Sequence, residues 1–125
     1  MGKINSRAKG AKGERLFRDI CRERGFDDAR RGQQYCGANG DADVVGLPNI
    51  HIECKFVQNL NFHKAMEQSI NDAKENEMPI VASKRKYEPW LITMRVDDWF
   101  ELYQAWINTC QVLKECQNNF KRTIE

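Results

Sequence analysis

The chain has 125 residues, enough for a single domain (residues 1–125) whose core needs neither disulfides nor a structural metal. Hydrophobic residues make up 41% and charged residues 30%, the balance of a soluble globular domain, and no apolar run approaches the roughly 20 residues that span a bilayer. The net charge is only +2, yet residues 1–35 hold ten Lys/Arg against five Asp/Glu and residues 36–125 ten against thirteen, so the N-terminal third offers a surface for a polyanion.

Residues 1–10 read as a mobile basic arm with no signal-peptide core behind it, which points to a cytoplasmic protein. From Gly13 to Arg24, Leu16, Phe17, Ile20 and Cys21 recur at helical spacing, and Gly25 is placed as a C-cap. Residues 33–36, Gln-Gln-Tyr-Cys, form a plausible strand ahead of the Gly37–Gly40 loop. Ala42–Gly46 and Ile50–Phe56 read as two strands of a hairpin around the turn Leu47-Pro48-Asn49. Phe62–Asn76 then places Phe62, Ala65, Met66, Ser69, Ile70 and Ala73 on one helical face.

Residues 79–82 and 90–94 supply two further strands. A last helix starts at Asp97 or Asp98, Asp97 serving as N-cap, with Trp99, Leu102, Tyr103 and Trp106 turned inward. Leu113 and Phe120 continue the seven-residue spacing from Trp106, so residues 107–125 read as a C-terminal helical extension, a core stripe or a dimer contact. The order α-β-β-β-α-β-β-α is that of a mixed α/β domain, a central sheet flanked by helices. Cys21, Cys36, Cys54, Cys110 and Cys116 are odd in number and lack a C-x-x-C pair, which favours free thiols over disulfides or a zinc site.

The chemistry concentrates in residues 41–56. Along Ile50–Phe56 the side chains alternate, Ile50, Ile52, Cys54 and Phe56 to one face and His51, Glu53 and Lys55 to the other. Glu53 and Lys55 therefore stand roughly 7 Å apart on one face. A three-residue turn at 47–49 sets Asp43 opposite Glu53 and Asp41 opposite Lys55. Two carboxylates facing each other at roughly 5 Å repel unless a cation lies between them, and oxygen ligands suit Mg²⁺, with Mn²⁺ as a substitute. The same residues also suit a solvated strand face with mixed ion pairs, and spacing alone does not choose between the two.

The pattern Asp43–x9–Glu53–x–Lys55 resembles the motif of the PD-(D/E)xK nuclease superfamily, with Ala42 where a proline is usual. Gly10-x-x-Gly13-Glu14, the Arg30-Arg31-Gly32 strand and the glycine-rich loop before Asp43 are similar to archaeal-type Holliday junction resolvases and their phage and prophage relatives. The resemblance covers about residues 7–95. It implies a restriction-endonuclease-like fold, metal-dependent phosphodiester hydrolysis and a C₂ homodimer. By the same resemblance Asp43 and Glu53 would bind Mg²⁺, Glu14 would complete the metal site, Lys55 would serve the attacking water, and Gln68 would support the site. Cys36 stands where such resolvases tend to carry a serine.

Arg7, Lys9, Lys12, Arg15, Arg30 and Arg31 are candidates for DNA phosphate contacts, which give affinity without sequence readout. Three functions remain open at this point. They are a resolvase acting on four-way junctions, a nuclease acting on duplex, flap or end substrates in phage replication or restriction, and a non-catalytic DNA-binding module.

Overall fold

The computed structural model describes residues 6–32 and 42–124. Three helices and five strands follow the expected order: α1 (Ser6–Glu23), β1 (Arg30–Arg31), β2 (Val44–Val45), β3 (Ile50–Phe56), α2 (Phe62–Asp72), β4 (Met78–Lys84), β5 (Leu91–Met94) and α3 (Val96–Ile124). The strands form one sheet in the order β1-β2-β3-β4-β5. Only β3 and β4 run parallel; the other pairs are antiparallel. A parallel pair needs a crossover, and α2 is that crossover. No helix among the described residues is long and apolar enough to cross a membrane.

Helix α1 begins at Ser6, so residues 6–10 of the expected mobile arm are helical. Its apolar side buries Phe17 and Cys21 against Val44, Ile52, Cys54, Ile80 and Ala82. A buried side chain of the size of Ile52 or Phe17 contributes roughly 1.5–3 kcal/mol. The helix stops as expected at Gly25, whose φ of 97° suits glycine. The N–H of Phe26 donates to the Cys21 carbonyl at 3.0 Å and that of Gly25 to the Arg22 carbonyl at 3.1 Å, which closes the last turn as a Schellman motif.

Val44 pairs with Ile52, so continuing the register sets Asp43 across from Glu53 as the three-residue turn required. Strand β3 keeps the bounds expected of it and lies between β2 and β4, covered on both sides. Ile52 and Cys54 face α1, while the His51–Glu53–Lys55 face lies towards α2, whose Gln68 reaches Lys55. His51 and Glu53 are each only 1% exposed. The solvated strand face is therefore set aside.

Helix α2 is capped by Asn61, whose side chain accepts from the Lys64 N–H at 3.1 Å. It ends at Asp72, short of the expected Asn76, because Ala73 is already extended. Ala65 and Ser69 are its buried residues, and Ser69 Oγ donates to the Ile80 carbonyl on β4. Phe62 and Ile70, expected inside, are more than a third exposed. Trp90 packs on the core with its ring 5.1 Å from Phe17.

One compact unit ends at Met94 and a second begins at Arg95. The second is α3, a single helix in which Asp97 and Asp98 lie in the first turn, so Asp97 is not the N-cap. None of its residues is buried, and Trp99, Leu102, Tyr103 and Trp106 do not form the expected core stripe. Instead Trp99 stacks on Tyr103 at 5.2 Å, and Tyr103 leans on Trp106 at 5.9 Å. Helical periodicity marks one apolar face but does not say what covers it.

Candidate active site

The hairpin of β2 and β3 brings Asp43 and Glu53 together, and β1 closes over the first of them. The Gly32 N–H donates to the Asp43 carbonyl at 2.9 Å, and the Asp43 N–H donates to the Ile52 carbonyl at 2.9 Å. A Cβ on Gly32 would fall 1.8 Å from the Ala42 carbonyl oxygen, so only glycine lets β1 lie this close. Asp43 is 6% exposed, and its Oδ2 accepts the Cys54 N–H at 2.8 Å. Ala42, at the position where a proline is usual in the motif, is buried beside it.

Burial is the main reason the Asp43 pKa stands at about 7, far above the ordinary 3.8. The Glu53 charge and side-chain contact push it the same way, and Glu14 adds to this, while the Cys54 N–H works against them. Burial likewise raises the Cys54 thiol, which is no nucleophile at neutral pH.

Glu53 joins two groups of polar residues. Its Oε1 lies 2.9 Å from His51 Nε2, and the His51 Nδ1 lies 3.8 Å from Glu77 Oε1. Its Oε2 is buried without a hydrogen-bond partner. Two ionised carboxylates have no proton to donate to one another, so Asp43 and Glu53 together want either a shared proton or a cation. This donor set, all oxygen with one buried orphaned oxygen, fits a hard divalent ion. His51, Glu53 and Asp72 also offer ligand atoms within 4.8 Å of one another. Burial disfavours a charged His51, but the bond to Glu53 and the charges of Glu53, Glu77 and Asp72 outweigh it and raise its pKa.

The remaining candidates converge on the same place. A cavity of about 450 Å³ is lined by Lys9, Gly10, Glu14, Asp43, Glu53, Lys55 and Gln68, with Phe56 and Val57 as apolar wall. Lys55 Nζ donates to Gln68 Oε1 at 3.1 Å. Glu14 does not sit in the first turn of α1, which holds no acidic residue, so the helix dipole does not account for it. It pairs instead with Arg31, Nε to Oε2 at 2.8 Å. Gly13, one residue earlier, lets α1 approach β3 closely, since a Cβ there would lie 2.7 Å from Phe56 Cβ.

The proposed DNA contacts divide. Arg7, Lys12 and Arg15 are exposed on α1, and Lys9 reaches the cavity with its Nζ 5.3 Å from the Phe56 ring centre. Arg30 is exposed and donates to the Asp28 carbonyl, whereas Arg31 is held by Glu14. Asp41, the strand expected at residues 33–36 with Cys36, and the Gly37–Gly40 loop lie outside the described residues. Sequence reasoning placed His51 on the face of Glu53 without giving it a role, and passed over Asp72 and Glu77. That placement was legible, because a residue two before Glu53 on a strand shares its face; the other two needed the crossover helix in place.

The family described as "phage putative PDDEXK endonuclease" matches residues 5–124. No curated protein and no solved structure matches the chain.

Proposed function

The chain belongs to that family of phage PD-(D/E)xK endonucleases, and from this premise we propose that it is a Mg²⁺-dependent endodeoxyribonuclease that resolves four-way DNA junctions. The observation that carries the metal-dependent reading is the buried Asp43–Glu53 pair with its orphaned Glu53 Oε2, in a cavity that Lys55 also lines. Asp43 and Glu53 hold the ion and Glu14 supports it from α1. Mn²⁺ serves in place of Mg²⁺. When bound, the divalent ion polarises the phosphodiester and lowers the pKa of the attacking water.

The protein groups do the rest. Asp43 must give up its proton before it binds a cation. Lys55, held by Gln68, stands ready to orient the attacking water and to offset charge developing on the phosphorus oxygens. Arg7, Lys9, Lys12, Arg15 and Arg30 contact phosphates, which suits recognition of shape over sequence. Arg31 acts through Glu14.

Residues 1–125 work as one nuclease domain with α3 as its extension, in the host cytoplasm, and as a C₂ homodimer. Support for the dimer comes from α3. Val96, Tyr103, Cys110, Gln117 and Ile124 fall on one seven-residue row and Trp99, Trp106, Leu113 and Phe120 on the next, the repeat of a two-helix seam. Aromatic side chains bury roughly 150–250 Å² each. The large apolar side chains of these rows are 43–68% exposed, which leaves roughly several hundred Å² of apolar surface, towards one side of a standard interface.

The test is cleavage of a labelled four-way junction beside a linear duplex of matching sequence, in Mg²⁺ and in EDTA, with Asp43→Ala as control. Paired, symmetric incision of the junction alone, lost in EDTA and in the variant, is the expected result. Equal cutting of both substrates makes the enzyme a general nuclease, and no cutting with any divalent metal leaves a DNA-binding module.

A further inference from the structure

Glu53 carries three side-chain torsions and lies at the middle of β3, between His51 and Lys55 on one face and 1% exposed. Something must decide which of its oxygens turns outward. His51 stands two residues earlier on the same face of β3, also 1% exposed, with Nε2 2.9 Å from Glu53 Oε1. A carboxylate that binds a cation is ionised and only accepts, so with Glu53 as a ligand the proton of that bond sits on Nε2. Behind the ring, Nδ1 faces Glu77 at 3.8 Å, longer than a hydrogen bond, with Asp72 also within reach of the pair.

We propose that His51 is a positioning residue for the metal site. Its Nε2–H holds Glu53 Oε1, so that Oε2, the oxygen without a partner, is the one presented as ligand. The inference rests on the reading of Glu53 as a metal ligand.

The location argues against a merely structural pair. A buried polar pair of this kind is usually no more stable than a packed apolar one, so stability alone gives no reason to keep a histidine here. Its backbone is fixed on both sides by β2 and β4, which makes it a rigid support for the one carboxylate that needs orienting. Hydrogen-bonded supports behind metal ligands are typically worth 10–100-fold in metal affinity. His51 is not a ligand of this site: its Nε2 is engaged by Glu53, its Nδ1 faces Glu77 at 3.8 Å, and it does not line the Asp43–Glu53 cavity.

Two variants separate the roles with little change in polarity. The amide nitrogen of His51→Gln falls near the Nε2 position and still reaches Glu53; that of His51→Asn falls near Nδ1 and does not. Mn²⁺ binding to the full chain is read from the electron paramagnetic resonance of free Mn²⁺, with Asp43→Ala in parallel and DNA affinity measured in EDTA. His51→Asn should weaken Mn²⁺ binding 10–100-fold, and His51→Gln should stay within about threefold of the natural protein. DNA affinity in EDTA should be unchanged in both.

Equal Mn²⁺ affinity in all three proteins, or equal loss in both variants, overturns the proposal. So does a nitrogen directly coupled to bound Mn²⁺ that vanishes in both variants, since His51 is then a ligand. Mn²⁺ binding that survives in Asp43→Ala refutes the metal site itself, a different failure.

Discussion

Asp43→Asn should make the metal-free protein more stable while abolishing its activity. In the folded chain the Asp43 carboxyl is raised from 3.8 to about 7 by burial and by Glu53. At about 1.4 kcal/mol for each tenfold change in proton affinity, full ionisation then costs the folded state about 4 kcal/mol relative to the unfolded chain. The folded protein keeps this proton longer than the unfolded one. The stability it contributes is therefore complete below pH 3.8, falls as pH rises, and is gone above about 7. Asparagine keeps an oxygen for the Cys54 N–H, bonded at 2.8 Å in the native protein, and removes the charge.

Urea unfolding in EDTA at pH 5 and pH 8 measures the effect. Water entering the site and local relaxation screen part of the cost. The variant should therefore exceed the natural protein by about 2–4 kcal/mol at pH 8 and by clearly less at pH 5. Mn²⁺ at about 1,000 times its Kd should reverse the order, since it adds about 4.1 kcal/mol to the protein that binds it. If Asp43→Asn is no more stable at pH 8 in EDTA, or if the natural protein and the variant share one pH dependence, the reasoning is refuted.

Four further outcomes are expected. Lys55→Met should lower kcat by about 10²–10³ while leaving Mn²⁺ affinity within a few-fold, because Lys55 serves the water and not the ion; single-turnover cleavage beside Mn²⁺ titration checks this. Gly32→Ala should destabilise by more than about 2 kcal/mol in urea, because a Cβ 1.8 Å from a backbone carbonyl forces β1 off Asp43. Replacing Arg7, Lys12 and Arg15 with alanine should flatten the dependence of log Kd on log salt by roughly 0.9 for each phosphate no longer neutralised, with little change in sequence preference. A double substitution Trp106→Glu and Leu113→Glu on α3 should turn a dimer into a monomer in sedimentation equilibrium; a natural protein that already sediments as a monomer refutes the seam.

How much of the site was legible follows from which forces act locally. The register that sets Asp43 against Glu53 depends only on a three-residue turn and strict strand alternation, so residues 41–56 carried it. Gly25 was likewise readable, since the cap it closes involves only the residues around it. Glu14 was harder. Its motif pointed to a role, but the first helix was expected to start at Gly13, which would have made an acidic residue there an ordinary response to the helix dipole. The helix begins at Ser6, and the glutamate then needs another reason to be where it is, which Arg31 and the cavity supply.

His51 and α3 were misjudged for a common cause. Alternation and periodicity report which side chains share a face, but the covering of that face is a tertiary fact. Sequence spacing left the His51–Glu53–Lys55 face open to a solvated reading; α2 and the neighbouring strands close it, and burial converts a surface histidine into a partner for a buried carboxylate. The same spacing made the apolar row of α3 read as core, although no residue of that helix is buried. Burial, added to the mutual repulsion of Asp43 and Glu53, is what makes the pair call for a shared proton or a cation, and burial of the His51–Glu53–Lys55 face was the feature that local sequence carried least.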